Sequence, residues 1–275
     1  NDRGTAVAAA ELALWARVHE LTSNDVQDAL WQHKTLVKAW VMRGTLHLML
    51  AEDLPLYVAA SSSTRDSYTK PAWLKYHGVT LDEIHAIIAA VPQVLDGRVL
   101  TREELADAIA TTTNSPHIRE LLLSGWGALL KPAAYHGYLC FGPSQGRSVT
   151  FTHPKSWLGG WQETNPKEAQ MTILRRYLTA YGPVTREDFA RWWGVQPAPG
   201  KKWFVPLADE LEEVSVEGTK SLLLKHDVAA VGALSAADTV RLLPNFDPYA
   251  LSSHYHSRYL RSKELEARVY RTSGW

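Results

Sequence analysis

Three residues in the stretch AWVMRGTLHL carry groups suited to holding phosphate oxygens: the guanidinium of Arg43, the hydroxyl of Thr45 and the imidazole of His47. A guanidinium is a fixed cation with forked N–H donors, and the other two add neutral or switchable donors. Gly44 sits between them and permits the positive φ of a chain reversal. Thr45 and His47 are two residues apart, so on a strand they share one face. Leu36, Ala39 and Val41 before the turn, and Leu46, Leu48 and Leu50 after it, can face a core. The same residues also have a structural use, with Arg43 paired to Glu52 or Asp53 and His47 as a satisfied, partly buried histidine.

Two further segments fit contact with a polyanion. In CFGPSQGRSVTF, Gln145, Gly146 and Arg147 form the tip of an expected hairpin, either a wing entering a groove or a solvated turn. Lys201 and Lys202 follow PAPG and precede Trp203, as a basic loop beside an aromatic ring or a solvated loop. His254 and His256 lack a cysteine or carboxylate at matching spacing, so no metal site is expected. There is no phosphate-cradling glycine loop, no GxSxG elbow and no dinucleotide fingerprint, and no cofactor is expected.

The elements that must position these residues recur. TSNDVQDAL (22–30), TREELADAI (101–109) and TREDFARWW (185–193) begin about 80 residues apart. In the last two, Thr101 with Glu104 and Thr185 with Asp188 have helix N-cap spacing. Helix-period stretches precede them at 11–21, 81–95 and 168–182, and apolar segments around a turn follow at 35–50, 135–151 and 211–224. Helix, turn, helix, hairpin is the winged-helix order. The Ser-, Pro-, Gly- and Thr-rich stretches 61–73, 154–166 and the one after Asp227 read as linkers.

The fold class read from this is α+β, mostly α. Its units are expected at 1–70, 71–157 and 158–232, with a further, incomplete element at 233–275.

The whole-chain numbers set bounds on this reading. With 275 residues, 45% hydrophobic, the chain fills real cores. Lys plus Arg equals Asp plus Glu at 29 each, which excludes a global positive field and leaves room for a local basic groove. Eleven Trp and eleven Tyr exceed ordinary packing needs, and stacking surfaces would use the surplus. One cysteine, Cys140, excludes an intramolecular disulfide and fits a reduced, cytoplasmic protein. No run approaches the length of a membrane span, so no membrane partner is expected. A start at Asn1 and an end after VYRTSGW suggest that both ends are cut.

The ordered set AELALWARV (10–18), MRGTLHLMLAEDLP (42–55), YGPVTREDFARWWGV (181–195) and LLPNFDPY (242–249) resembles the AlkZ/YcaQ family of winged-helix DNA glycosylases over nearly the whole chain. The resemblance implies tandem winged helices followed by a small β-barrel, truncated here, around a DNA channel. It implies a monomer acting on double-stranded DNA that carries a bulky alkylated purine, as repair or self-resistance to an alkylating natural product, with interstrand crosslinks among the substrates of some members.

The family's catalytic Gln-x-Gln or Gln-x-Asp pair precedes the first helix, a position that falls at Asn1-Asp2-Arg3. No Gln-x-Gln occurs here. Asn1 is then the second member of a Gln-x-Asn variant whose glutamine precedes the chain, or the pair is degenerate. Asp2 offers a carboxylate near the sugar or, alternatively, a cap for the first helix. The resemblance also makes Arg43, Thr45 and His47 phosphate grips beside the lesion, and brings Asp247, His254 and Arg258 to the DNA. A winged-helix protein that binds DNA without catalysis is the rival reading.

Overall fold

Helices and short antiparallel hairpins alternate in the computed structural model, which describes residues 3–63, 65–124, 127–235, 240–244, 247–251 and 264. The first third runs α1 (Arg3–Trp15), α2 (Ser23–Trp31), β1 (Leu36–Val41), β2 (Thr45–Leu50), α3 (Leu54–Ala60) and α4 (Pro71–His77). Next come α5 (Leu81–Leu95), β3 (Val99–Thr101), α6 (Arg102–Thr113), α7 (Pro116–Leu123), α8 (Lys131–Tyr135), β4 (Cys140–Gln145), β5 (Ser148–Thr152) and α9 (Pro154–Leu158). The remainder is α10 (Pro166–Tyr181), α11 (Arg186–Trp193), α12 (Pro197–Lys202), β6 (Leu211–Val216), β7 (Thr219–Leu224), α13 (Val228–Gly232) and α14 (Pro248–Leu251). The class is α+β and mostly helical. The chain forms two compact units, one of residues 20–173 and one that joins the first helix to residues from 174 on.

The three recurring segments are capped helices. Thr101 Oγ1 accepts from the Glu104 amide at 3.3 Å while Glu104 Oε2 accepts from the Thr101 amide at 2.8 Å. The same reciprocal box closes α11 through Thr185 and Asp188 and α2 through Thr22 and Asp25, and Thr80 with Glu83 closes α5 as well. Each box satisfies two N–H groups that a helix start leaves without partners. An antiparallel hairpin follows each recurring helix, and twice the returning strand also pairs with the residues just before the cap. β5 pairs with β3 (Leu100↔Phe151), and Val184 bridges Leu222 on β7.

The core of the larger unit is built on α5, whose Ile84, Ile87, Ile88, Val91, Val94 and Leu95 recur at helical spacing. Leu105 and Ile109 of α6, Ile118 and Leu122 of α7, and the rings of Trp40, Phe141 and Phe151 complete it. Trp40 meets Phe141 edge-on with centroids 4.8 Å apart.

Strand β1 is packed on both of its faces rather than one, whereas no residue of β2 is fully buried. Val37, Ala39 and Val41 pack with Leu54, Val58 and Cys140, while Trp40 and Leu46 join the α5 core. The expected single core face therefore splits by the two-residue period, and Leu50 is left 47% exposed.

In the smaller unit the aromatic surplus is core. Phe189 contacts Tyr177, Trp192, Trp203 and Phe204, and the Trp193 and Trp203 rings meet at a tilt with centroids 5.0 Å apart.

Three expectations change. α1 stops at Trp15 instead of running to residue 21: the Arg17 amide donates to the Leu14 carbonyl at 2.9 Å rather than to that of Ala13, which accepts from Arg17 Nη1 at 2.8 Å. The stretch at 61–73 contains 3₁₀ turns anchored by Tyr68, 5% exposed, and runs into α4. The stretch at 154–166 begins with α9 and packs Trp157, Leu158 and Trp161 against the hairpin cluster. Polar composition concealed these aromatic anchors.

The β-barrel element expected from 233 onward lies mostly outside the described residues. Among the described residues the sheets do not close into a barrel. No single described helix is long and apolar enough to cross a membrane.

Candidate nucleic-acid interface

The β1–β2 register ends at the pair Val41↔Thr45, and Met42, Arg43 and Gly44 make the reversal. Met42 (φ 54°) and Gly44 (φ 73°) both take left-handed backbone, and the Gly44 amide donates to the Val41 carbonyl at 3.0 Å. A Cβ at Gly44 would collide with the Tyr135 hydroxyl, so α8 is pressed against the turn. Arg43 is exposed at the tip. Behind it, Thr45 Oγ1 and His47 Nε2 are 2.8 Å apart, on the shared face expected from their spacing.

His47 keeps some accessible surface. Desolvation by its surroundings, and then the nearby Arg43 charge, push its pKa down to about 4. The ring is therefore neutral near pH 7, and Arg43 is the charged member of this trio. A neutral imidazole paired to a hydroxyl leaves one group of the pair able to donate outward, according to the tautomer.

Residues singled out less readily in the sequence stand beside this turn. The Lys131 side chain reaches to 3.7 Å from the position of a Gly44 Cβ, and burial pushes its ammonium pKa down. His77, at the end of α4, is also lowered, first by burial and then by the Lys131 charge. Its ring is flanked by Trp73 at 4.2 Å and by Tyr76 at 4.9 Å. The sequence signal was the repeated Lys-Pro-Ala opening of KPAWLKYH and KPAAYH, but only the fold brings the second to the Gly44 turn and its lysine near His77 of the first.

The other expected positions differ in character. Gln145 and Arg147 are exposed at the β4–β5 tip, where a Cβ at Gly146 (φ 59°) meets nothing within 4 Å. Lys201 and Lys202 end helix α12 rather than lying in a loop. Pro197 at its first turn supplies the helical φ. Lys201 is paired with Glu187 at 3.0 Å, Lys202 is exposed, and Trp203 is 7% exposed in the aromatic core, so the Trp203 ring is not open to stack beside the cations.

Asp247 has no exposed surface and therefore none for direct contact with DNA. Its oxygens accept from Arg17 at 2.8 and 2.9 Å, and one also accepts from the Tyr249 amide at 3.0 Å. Arg17 keeps 42% of its side chain exposed, so the outward group of this pair is the guanidinium. Asn1, Asp2, His254 and Arg258 lie outside the described residues.

The family model described as "DNA glycosylase AlkZ-like" matches residues 3–274. An interstrand DNA cross-link repair glycosylase of Streptomyces sahachiroi is 38% identical over 246 residues, which is 88% of this chain and 66% of that protein. The chain thus spans just under two thirds of that relative's length. The solved structure of the Streptomyces sahachiroi DNA glycosylase AlkZ superposes with a TM-score of 0.88 at 35% identity, covering 98% of this chain and 73% of that one. This chain belongs to the AlkZ-like DNA glycosylase family.

Proposed function

We propose that this chain is a monomeric DNA glycosylase that hydrolyses the N-glycosidic bond of bulky N7-alkylated purines. In this reading the three capped-helix and hairpin units act as winged helices, at 1–70, 71–157 and 158–232. The observation that carries the DNA part is the Arg43–Thr45–His47 array on a hairpin whose first strand is packed on both faces. A rigid support is what a phosphate grip needs if it is to hold a lesion in register.

The chemistry asks little of a general acid. Alkylation at N7 makes the purine a cationic leaving group, so the enzyme stabilises a sugar oxocarbenium ion and holds a water beside it. Asn1 and Asp2, which precede α1 in the sequence, are the proposed pair, with Asp2 offsetting the cation or taking the water's proton. Arg17, held by Asp247, is proposed to face the backbone in place of Asp247 itself. The β4–β5 tip with Gln145 and Arg147, together with Lys202, His254 and Arg258, are proposed secondary contacts. Because the relative's name specifies cross-link repair, a purine whose adduct ties it to the opposite strand is included in the proposed substrate class.

The test is base release from a duplex carrying one bulky N7-alkylguanine, with binding measured in parallel for the unaltered chain and for Asn1→Ala and Asp2→Ala. Release should fall by about 100-fold or more in at least one variant while binding persists, the loss typical of removing one positioned polar group. Binding without release from any alkylated duplex by the unaltered chain would establish the non-catalytic reading instead.

A further inference from the structure

KPAAYH (131–136) meets the VMRGTLH turn (41–47) at Gly44, His77 at the end of KPAWLKYH (70–77) lies within the electrostatic reach of Lys131, and none of the three segments carries an aspartate or glutamate. Together they hold Arg43, Lys70, Lys75, Lys131, His77 and His47, in a chain whose charges balance overall at 29 of each sign. Such a concentration needs a fold to create it, since the segments are far apart in sequence.

Lys131 is the informative member. It lies half-buried along the Gly44 turn, close enough to His77 to affect that ring, and has no carboxylate partner among the described residues. Other cations of the chain are neutralised internally: Lys155 by Glu163, Arg175 by Glu210, Lys201 by Glu187 and Lys220 by Glu213. A half-buried ammonium without an acid costs folding free energy and is retained where an external anion completes it. Tyr76, 84% exposed beside His77, adds an apolar face of the kind that packs on deoxyribose.

We propose that Lys131 and His77 form a second contact for the DNA backbone, continuous with the Arg43 turn, so that one strand is gripped over more than one phosphate. This rests on the DNA-binding reading above and adds residues to it.

The test is titration of a fluorescently labelled, undamaged duplex with the full chain and with Lys131→Gln, Lys131→Arg and Arg43→Gln, at several chloride concentrations. Lys131→Gln should weaken binding roughly 5- to 10-fold near 0.1 M salt and make the slope of log affinity against log salt shallower by about 0.9, the change for one lost phosphate contact. Lys131→Arg should restore both. The melting temperature of Lys131→Gln should be unchanged or higher, because removal of an unpartnered buried charge does not weaken the fold.

Affinity and slope unchanged in Lys131→Gln, with Arg43→Gln still weakened, would overturn the inference and leave the DNA-binding reading intact. A lowered melting temperature accompanied by unchanged binding would likewise overturn it, assigning Lys131 a structural role. Replacing chloride with inorganic phosphate at equal ionic strength should leave the gap between unaltered chain and variant in place. Collapse of that gap would assign the site to free phosphate. No duplex binding by the unaltered chain would overturn the functional reading and this one with it.

Discussion

The turn between β1 and β2 and the end of α12 both bring lysines near aromatic rings. At the end of α12, Lys201 is closed on Glu187 at 3.0 Å and Trp203 is 7% exposed, packed 5.2 Å from Phe189. At the hairpin turn, Lys131 has no carboxylate partner among the described residues, and Tyr76 is 84% exposed. The α12 cations are consecutive in sequence, whereas those at the hairpin turn, Arg43 and Lys131, come from segments far apart. Whether a lysine is open to an outside anion is therefore set by whether the fold pairs it with an acid, more than by how densely lysines are written along the chain.

The largest effect that would sharpen this contrast is at Trp203. If its ring is core, Trp203→Ala should cost about 3–5 kcal/mol of stability, the usual range for deleting a large buried aromatic. DNA affinity of the folded fraction should not change. A stable variant with weakened DNA binding would put the ring back at an interface and break the comparison.

Gly44→Ala should come next. A left-handed φ of 73° costs an L-residue about 1–2 kcal/mol, and here the new methyl also displaces the Tyr135 hydroxyl. Denaturant unfolding should show a loss of about 2–3 kcal/mol. Gly146→Ala, at φ 59° with open space around it, should lose only the backbone part, about 1 kcal/mol. Equal losses at the two turns would mean that α8 does not brace the first one.

His47 gives a smaller, pH-dependent effect. Its folded pKa of about 4 lies below the ordinary 6.5, so between these values the unfolded chain binds more protons. Stability should fall as pH drops from 6.5 towards 4, by about 1–2 kcal/mol for a ring that keeps some solvent contact. His47→Gln should remove that part of the slope in urea unfolding measured across the window. Bound DNA should act in the opposite sense, because phosphate favours the imidazolium and raises the pKa. An identical acid profile in His47→Gln would show that the ring is not desolvated.

These cases show why some of the molecule was legible in sequence and some was not. Capping boxes are local, and TREEL and TREDF carried their own evidence; Thr22 with Asp25 had the same spacing but was not singled out. The Arg43–Gly44–Thr45–His47 turn was readable because a hairpin's period is two and its reversal needs a residue tolerant of positive φ. Lys131 and His77 were not readable, since their contact with the turn is a long-range event that no local pattern encodes. Asp247 misled for the opposite reason: a carboxylate in a loop-like FDPY suggests solvent, and only the structure shows Arg17 filling both of its oxygens. The linkers misled through composition, because one buried Tyr68 outweighs a run of serines in deciding whether a segment is ordered.

The smallest predicted effect tests the α12 side of the contrast directly. The Lys201 and Glu187 side chains are 54% and 48% exposed, so their ion pair should contribute at most about 0.5 kcal/mol. Lys201 holds the Glu187 pKa below the ordinary 4.5, chiefly through their hydrogen bond, so the contribution is present above pH 4.5 and lost as acid protonates the carboxylate. Lys201→Gln should therefore shift neutral-pH stability barely measurably and change DNA affinity less than 2-fold, with no change in salt slope. Glu187→Gln frees the same lysine. If internal pairing is what silences Lys201, that variant should bind duplex DNA slightly more tightly and with a steeper salt dependence, by up to about 0.9 in slope. Tighter binding in Glu187→Gln would show that acids mask a potential contact on α12, whereas no change would show that this lysine lies away from the DNA altogether, and partnering would then not be the property that separates the two regions.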